Sequence, residues 1–300
     1  MAVIMLLPMS LHQACSINYD ATLLPVCFLF LAYIMNCRET KVSWKNISIM
    51  ILLLAVMAII KPPYAMLCIL LFIIPLKQFK LFIKEINVMQ IIYKWRCILV
   101  SLGIIGVAAG VYLYRYNVNV LEVIASIIKF PKYLLILLRT IKSLFSFYVV
   151  STIGDFGWLD SHVESWYIIL TTILCILLTQ VNEKKELCLN LKNKIICLIC
   201  FAIIFNLIFI AMESWTVFIN QWTVDNNLSA WLKCISDIDV ILGVQGRYFI
   251  PILPLLGIII PSSRKISSKS AGYMVNLYSI VSIVYVAIIL INRYWVVHVY

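Results

Sequence analysis

Apolar stretches broken by short clusters of Lys and Arg recur along this chain from end to end. Reading the runs against the charged breaks gives eight candidate spans, at about 21–37, 47–61, 64–77, 97–114, 166–181, 195–212, 247–261 and 273–292. Runs of this kind suit helices crossing, or dipping into, a hydrocarbon layer about 30 Å thick. A helix satisfies its own backbone where no water is present, so the pattern predicts an all-α, polytopic membrane bundle with interfacial helices beside the spans.

The second and third spans divide one long apolar stretch. A single helix over 47–76 would be about 45 Å long. It would place Lys61-Pro62-Pro63 in its middle, burying an ammonium beside two residues that cannot donate a backbone hydrogen bond. A tight turn at Lys61-Pro62-Pro63-Tyr64 avoids both costs and leaves two short arms that pack among other helices.

Charge placement favours the same turn. With it, the loops carrying Arg38, Lys41 and Lys45, then Lys77 to Arg96, then Lys184 to Lys194, then Arg264, Lys265 and Lys269 share one side, and together they hold fifteen of the 24 basic residues. The positive-inside rule makes that side cytoplasmic and places both termini outside. The stretch Met1–Met9 is too short to span and lacks a basic flank, so it reads as the tail of a helix that begins upstream.

Composition narrows the class further. Hydrophobic residues make up 64% of the 300 and charged residues 12%, against about 25% charged in a soluble domain. The formal charge of +11 could point to nucleic acid, but the cations flank apolar runs instead of covering one soluble face. Of the ten cysteines, Cys27, Cys68, Cys175, Cys197 and Cys200 lie within apolar runs and act as small hydrophobes. Cys197 and Cys200 alone have ligand spacing, with no polar neighbours, so no metal site is assigned. The whole chain, 1–300, reads as one membrane domain.

Two outer connections, 115–165 and 213–246, are too long to be plain turns. The first holds Val118–Phe130 and Lys132–Val150, where Lys129, Lys132, Arg139 and Lys142 punctuate Leu, Ile and Phe. Such stretches suit helices lying in the membrane interface, a ninth and tenth span being the alternative. The second carries Trp215, Trp222 and Trp231, residues of an interfacial belt.

Polar residues gather at the outer ends of these spans: His12, Asn18 and Asp20; Lys61; Asp155, Trp158 and Asp160; Gln245 and Arg247. Asp20 heads the first full span, where a carboxylate caps a helix or binds a cation or a substrate hydroxyl. Lys61 and Arg247 stand at apolar rims where a cation grips a phosphate ester, snorkelling being the alternative for Lys61. Glycines at 243 and 246 bracket Gln245 and precede Arg247, which would let backbone approach a ligand.

Four strings carry a resemblance: Pro8-Met9-Ser10-Leu11-His12-Gln13-Ala14 with Ser16-Ile17-Asn18-Tyr19-Asp20; Lys61-Pro62-Pro63-Tyr64; Phe156-Gly157-Trp158-Leu159-Asp160; and Gly243-Val244-Gln245-Gly246-Arg247-Tyr248-Phe249-Ile250-Pro251. In this order the chain resembles the bacterial membrane family called domain of unknown function 2142. The resemblance implies similarity to GT-C membrane glycosyltransferases, which use polyprenyl-phosphate sugars on the outer face of the plasma membrane. It implies a catalytic or metal-binding carboxylate in the first outer loop and basic side chains on the donor phosphate. Family members carry a further N-terminal region with a Pro-x-Asp-Glu motif, which has no counterpart here.

The resulting expectation is the C-terminal part of a GT-C-like glycosyltransferase that builds or modifies cell-surface polysaccharide. Asp20, Asp155 and Asp160 are the catalytic candidates, and Lys61, Arg247, Gln245, His12 and Trp158 the substrate-binding ones. A divalent cation is a candidate cofactor; membrane lipid, a polyprenyl-phosphate sugar and a glycan acceptor are the expected partners. A transporter or flippase of lipid-linked glycans, and an inactive subunit or gene remnant, are the alternatives.

Overall fold

The computed structural model describes residues 1–75, 130–156, 161–181, 189–221, 240–260 and 266–296, with the single positions Gln78, Trp95, Ile98 and Gly103. These residues form an all-helical membrane bundle, apart from one two-residue hairpin. Four helical stretches, Tyr19–Glu39, Tyr133–Ile153, Leu191–Met212 and Ser268–Val296, are long and apolar enough to cross a membrane.

Two short helices, α1 (Ala2–Met5) and α2 (Pro8–Ala14), lead into α3 (Tyr19–Glu39). Met1–Met9 was expected as the tail of one helix; instead the chain breaks at Leu6-Leu7, because Pro8 starts a new helix where a missing N–H costs nothing. Helix α2 touches α3, the hairpin and the last helix, so it lies at a junction.

The expected turn at Lys61 is present. Helix α4 (Trp44–Ile60) runs antiparallel to α3, ends on Lys61, and is followed by α5 (Pro62–Ala65) and a 3-10 helix, Met66–Ile73. The return is closed at its far end: Val42 N donates to Gln78 O at 2.8 Å, and Gln78 Nε2 donates to Arg38 O at 3.1 Å and Glu39 O at 3.2 Å. The neighbourhoods of Arg38 and Gln78 therefore share one end of the bundle, with Lys61 at the other.

Helix α6 (Phe130–Ile153) packs on the segment around Gly246. Its buried positions Tyr133, Ile136, Leu137, Thr140, Tyr148 and Ser151 recur at helical spacing, while Leu134, Leu138, Phe145, Arg139 and Lys142 are exposed. Tyr133 Oη reaches Asn206 O at 3.2 Å, and the Tyr148 ring lies 5.9 Å from that of Phe209. Positions fifteen residues apart on α6 thus meet positions three apart on α8 (Leu191–Gln221), so α6 crosses α8 steeply instead of running beside it.

After α6, strands β1 (Asp155–Phe156) and β2 (Ser161–His162) form an antiparallel hairpin that leads into α7 (Ser165–Leu178). Gly246–Ile252 is a 3-10 helix continuing as α9 (Leu253–Ile259), and α10 (Ser268–Ile291) ends in a π turn, Asn292–Val296. Helices α7 and α10 are joined by polar groups in an apolar setting. Tyr167 Oη bonds Ser282 Oγ, Thr171 Oγ1 meets Tyr278 Oη at 3.3 Å, and Glu164 N donates to Tyr285 Oη at 3.0 Å. Each shared hydroxyl removes a cost that burial would otherwise impose.

Ile266 N donates to Gln180 O at 3.2 Å, which joins the chain just after α7 to the chain just before α10. Of the expected spans, 97–114 lies outside the described residues apart from Ile98 and Gly103, as do 115–129 and 222–239 within the two outer connections.

Candidate functional site

Asp20 and Lys61 come together first because of the two helices that hold them. Asn18 is the N-cap of α3, its Oδ1 accepting from Asp20 N at 3.4 Å, which leaves the Asp20 carboxylate free for another partner. Lys61 is the residue on which α4 ends. Antiparallel packing sets the start of α3 beside the end of α4, and Lys61 Nζ donates to Asp20 Oδ1 at 2.6 Å. Each charge also suits its helix end, an acid at an N-terminus and a base at a C-terminus.

The pair is enclosed. Asp20 retains 8% side-chain exposure and Lys61 19%, so the lysine does not snorkel to water. Its ammonium lies 4.8 Å from the Tyr19 ring centre and 4.3 Å from that of Tyr248, in cation–π range of both. Burial pulls the Lys61 ammonium below its ordinary pKa, Asp20 pushes it back up, and the Arg247 charge lowers it again.

Arg247 and Gln245 arrive on the Gly246 segment. That segment is held from three directions: Gly246 N donates to Ser151 Oγ at 2.9 Å, Tyr64 Oη donates to Tyr248 O at 2.6 Å, and Phe249 stacks on Phe205 with ring centres 5.2 Å apart. A Cβ at Gly246 would overlap Tyr148 O and both Thr152 N and its hydroxyl. The expectation was that Gly246 lets backbone approach a ligand; the close neighbour it admits is α6. Gly243 has a φ of 84°, the left-handed conformation that favours glycine.

His12 comes from α2, with its ring 5.2 Å from Phe156 of the hairpin. Burial, then the charges of Arg293 and Arg247, lower its pKa below the ordinary 6.5, so the imidazole is neutral at pH 7. Arg293 belongs to the turn after α10, a helix that touches α2.

Several buried polar atoms here have no hydrogen-bond partner among the described residues: His12 Nδ1, Gln13 Oε1, Gln245 Oε1 and Arg247 Nε. All four lie on α2 and the Gly246 segment, which touch each other. Buried polar atoms normally find partners, so these four atoms beside cations offer hydrogen-bonding capacity to a polar ligand.

The expected residues therefore divide. His12, Asp20, Lys61, Gln245 and Arg247 converge at one end of the bundle. Asp155 is 1% exposed, and its Oδ1 meets His162 Nδ1 at 2.7 Å across the hairpin, so this carboxylate ties the two strands together. Trp158 and Asp160 lie outside the described residues. Tyr19, Tyr248, Gln13 and Arg293 were not singled out from sequence. The first two adjoin chosen residues in the strings quoted above; Arg293, alone after a long apolar helix and beside Tyr294 and Trp295, resembles a membrane-interface anchor.

A divalent cation fits this arrangement poorly. Among the described residues, Asp20 brings one carboxylate, bound to Lys61 and with Arg247 nearby, whereas such ions want several oxygen donors. Among the described residues, no group of three or more His, Cys, Asp or Glu is placed to hold a metal.

Fold and site define an all-helical membrane protein with a cation-rich, partly buried polar cluster at one end of the bundle. The family model for predicted membrane proteins of domain of unknown function 2142 matches residues 1–256, and the chain belongs to that family. No curated protein and no solved structure matches it.

Proposed function

We propose that the chain is a GT-C-like glycosyltransferase component that takes sugar from a polyprenyl-phosphate carrier for cell-surface polysaccharide, in the bacterial plasma membrane. The observation that carries this reading is the meeting of Lys61, Arg247, Gln245 and His12 around Asp20, beside unpartnered polar atoms and among apolar helices. A lipid phosphate needs such an arrangement, with cations for the head group and a hydrocarbon setting for the chain.

In the transfer, an acceptor hydroxyl oxygen bonds to the anomeric carbon while the bond from that carbon to the phosphate oxygen breaks. The electron pair leaves with the phosphate, where Lys61 and Arg247 stabilise the growing negative charge. Asp20 holds Lys61 in place through Oδ1 and, as general base, takes the proton of the acceptor hydroxyl as the new bond forms. Gln245 and His12 offer hydrogen bonds to the sugar or the phosphate. By the positive-inside rule the basic end around Arg38 and Gln78 faces the cytoplasm, which puts this chemistry outside. Helix α6, laid steeply across α8 with apolar and basic side chains exposed, would line the interface where the lipid enters.

Radiolabelled sugar transfer from defined polyprenyl-phosphate donors in membranes tests the proposal. The assay uses the chain as given and a form extended upstream. Arg247→Ala should lower transfer by about a hundredfold, as expected for losing a charged contact to a leaving group. Unchanged transfer would remove its phosphate role, and no transfer from either form would end the enzyme reading.

A further inference from the structure

Helix α2 carries polar side chains on two of its faces. Pro8 and His12, four residues apart, share the side next to the hairpin: a Cβ at Gly154 would lie 3.2 Å from Pro8 Cβ, and the His12 ring lies 5.2 Å from that of Phe156. Met9, Ser10 and Gln13 share the enclosed face, where Gln13 is only 2% exposed. A carboxamide at that depth normally bonds within the fold. Among the described residues Gln13 Oε1 has no such partner, and neither has Gln245 Oε1 on the Gly246 segment that α2 touches.

The chemistry of these atoms is one-sided. The two carboxamide oxygens can only accept hydrogen bonds, and Nδ1 of a neutral imidazole accepts when the proton sits on Nε2. Arg247 Nε is the one obligate donor beside them. An ionised phosphate offers acceptors alone and gains nothing from two carboxamide oxygens, whereas each hydroxyl of a sugar ring brings a donor. The cations sit together elsewhere: Lys61 Nζ lies 4.3 Å and the Arg247 guanidinium 5.5 Å from the centre of the same Tyr248 ring.

We infer that Gln13 and Gln245, with His12, form a hydroxyl-reading subsite whose acceptor atoms take hydrogen bonds from the ring hydroxyls of a neutral sugar, with Gln13 as its most enclosed member. That the sugar belongs to the transfer reaction rests on the reading above. The demand for hydroxyl donors comes from the acceptor atoms themselves.

The same argument fixes how Gln13 should behave in the fold. A buried amide oxygen without a partner costs stability, so replacing it by an apolar side chain of similar shape should leave the protein at least as stable. A glutamine that holds the fold together would show the reverse.

Saturation-transfer NMR on the whole chain in phosphatidylcholine nanodiscs at pH 7 tests the inference, with the methyl glycosides of glucose, galactose and mannose as probes. At least one should bind the wild-type chain. Gln13→Met should weaken it about tenfold, the effect of leaving one donor unpaired, with an unfolding midpoint no lower than wild type. Replacing the ring hydroxyls of that glycoside singly by fluorine, which cannot donate, should weaken binding about tenfold at two or more positions.

Failure of all three glycosides to bind overturns the inference. So does unchanged affinity in Gln13→Met, a midpoint lowered by more than about 2 °C, or fluorinated glycosides that bind like their parent. Displacement of the glycoside by farnesyl phosphate carrying the same sugar assigns the subsite to the donor; binding of both together supports the subsite and assigns it to the acceptor glycan. If membranes show no sugar transfer while the glycoside results hold, the transferase reading fails and the hydroxyl-reading subsite stands. Sugar transfer that Gln13→Met leaves unaltered does the opposite.

Discussion

Removing both halves of the Asp20–Lys61 pair should cost less than the two single removals added together. At 2.6 Å and an effective dielectric of about 20, the two charges attract by roughly 6 kcal/mol. Desolvation of both groups offsets most of that, leaving a coupling of about 2 kcal/mol. Asp20→Asn strands an ammonium that is 19% exposed, at a cost near the lower limit for breaking a buried pair, about 3 kcal/mol. For a chain of this size that corresponds to a fall of about 6 °C in unfolding midpoint. Lys61→Met should cost a similar amount by stranding the carboxylate, and the double variant should recover about 2 kcal/mol of the summed loss. Unfolding of the four proteins in detergent, followed by tryptophan fluorescence, gives the cycle. Effects that add to within about 0.5 kcal/mol would refute the claim that these charges are energetically joined.

Other outcomes follow from the same geometry. Gly246→Ala should destabilise the fold by about 2–3 kcal/mol, because the added methyl meets α6 backbone that cannot move aside; a melting point equal to wild type would show that the contact is slack. In Asp20→Asn, Lys61 loses the neighbour that raises its pKa, so more of it is free amine at pH 9. Reductive methylation followed by peptide mass spectrometry should find it modified faster than in wild type, and slower modification would reverse the assigned sign. Cys15, exposed at the site end, should be labelled by a membrane-impermeant maleimide on intact cells in a variant lacking the other cysteines. Labelling only after permeabilisation would place the site on the cytoplasmic side.

Hydropathy and charge made the bundle legible because the bilayer imposes a length on apolar runs and a charge bias on loops. They placed the turn at Lys61, since an ammonium beside two prolines has no tolerable position inside one long helix. They brought Asp20, Lys61, Gln245, Arg247 and His12 to one end without saying which pairs would touch. Contacts between elements were not readable. Asn18 and not Asp20 caps α3, a choice made by backbone angles at the helix start. Asp155 finds His162 only because the hairpin registers them opposite one another. Arg293 drew no notice because it acts on His12 of α2, a position far away in sequence. The steep passage of α6 over α8 leaves no trace in composition either, since the same apolar residues would serve a helix crossing the bilayer.

The arm that returns from the turn at Lys61 is wound as a 3-10 helix over Met66–Ile73, and that winding sets a length. A 3-10 turn climbs about 2.0 Å per residue against 1.5 Å in an α-helix, so these residues gain about 4 Å over ordinary winding. The gain helps a short arm travel from the proline pair back to the clasp between Val42 and Gln78. Relaxing this stretch to α-helix would shorten the arm by about 4 Å. The arm thus works as a spacer between the proline pair and the clasp, its pitch adding reach that the same leucines and isoleucines would lack in an α-helix.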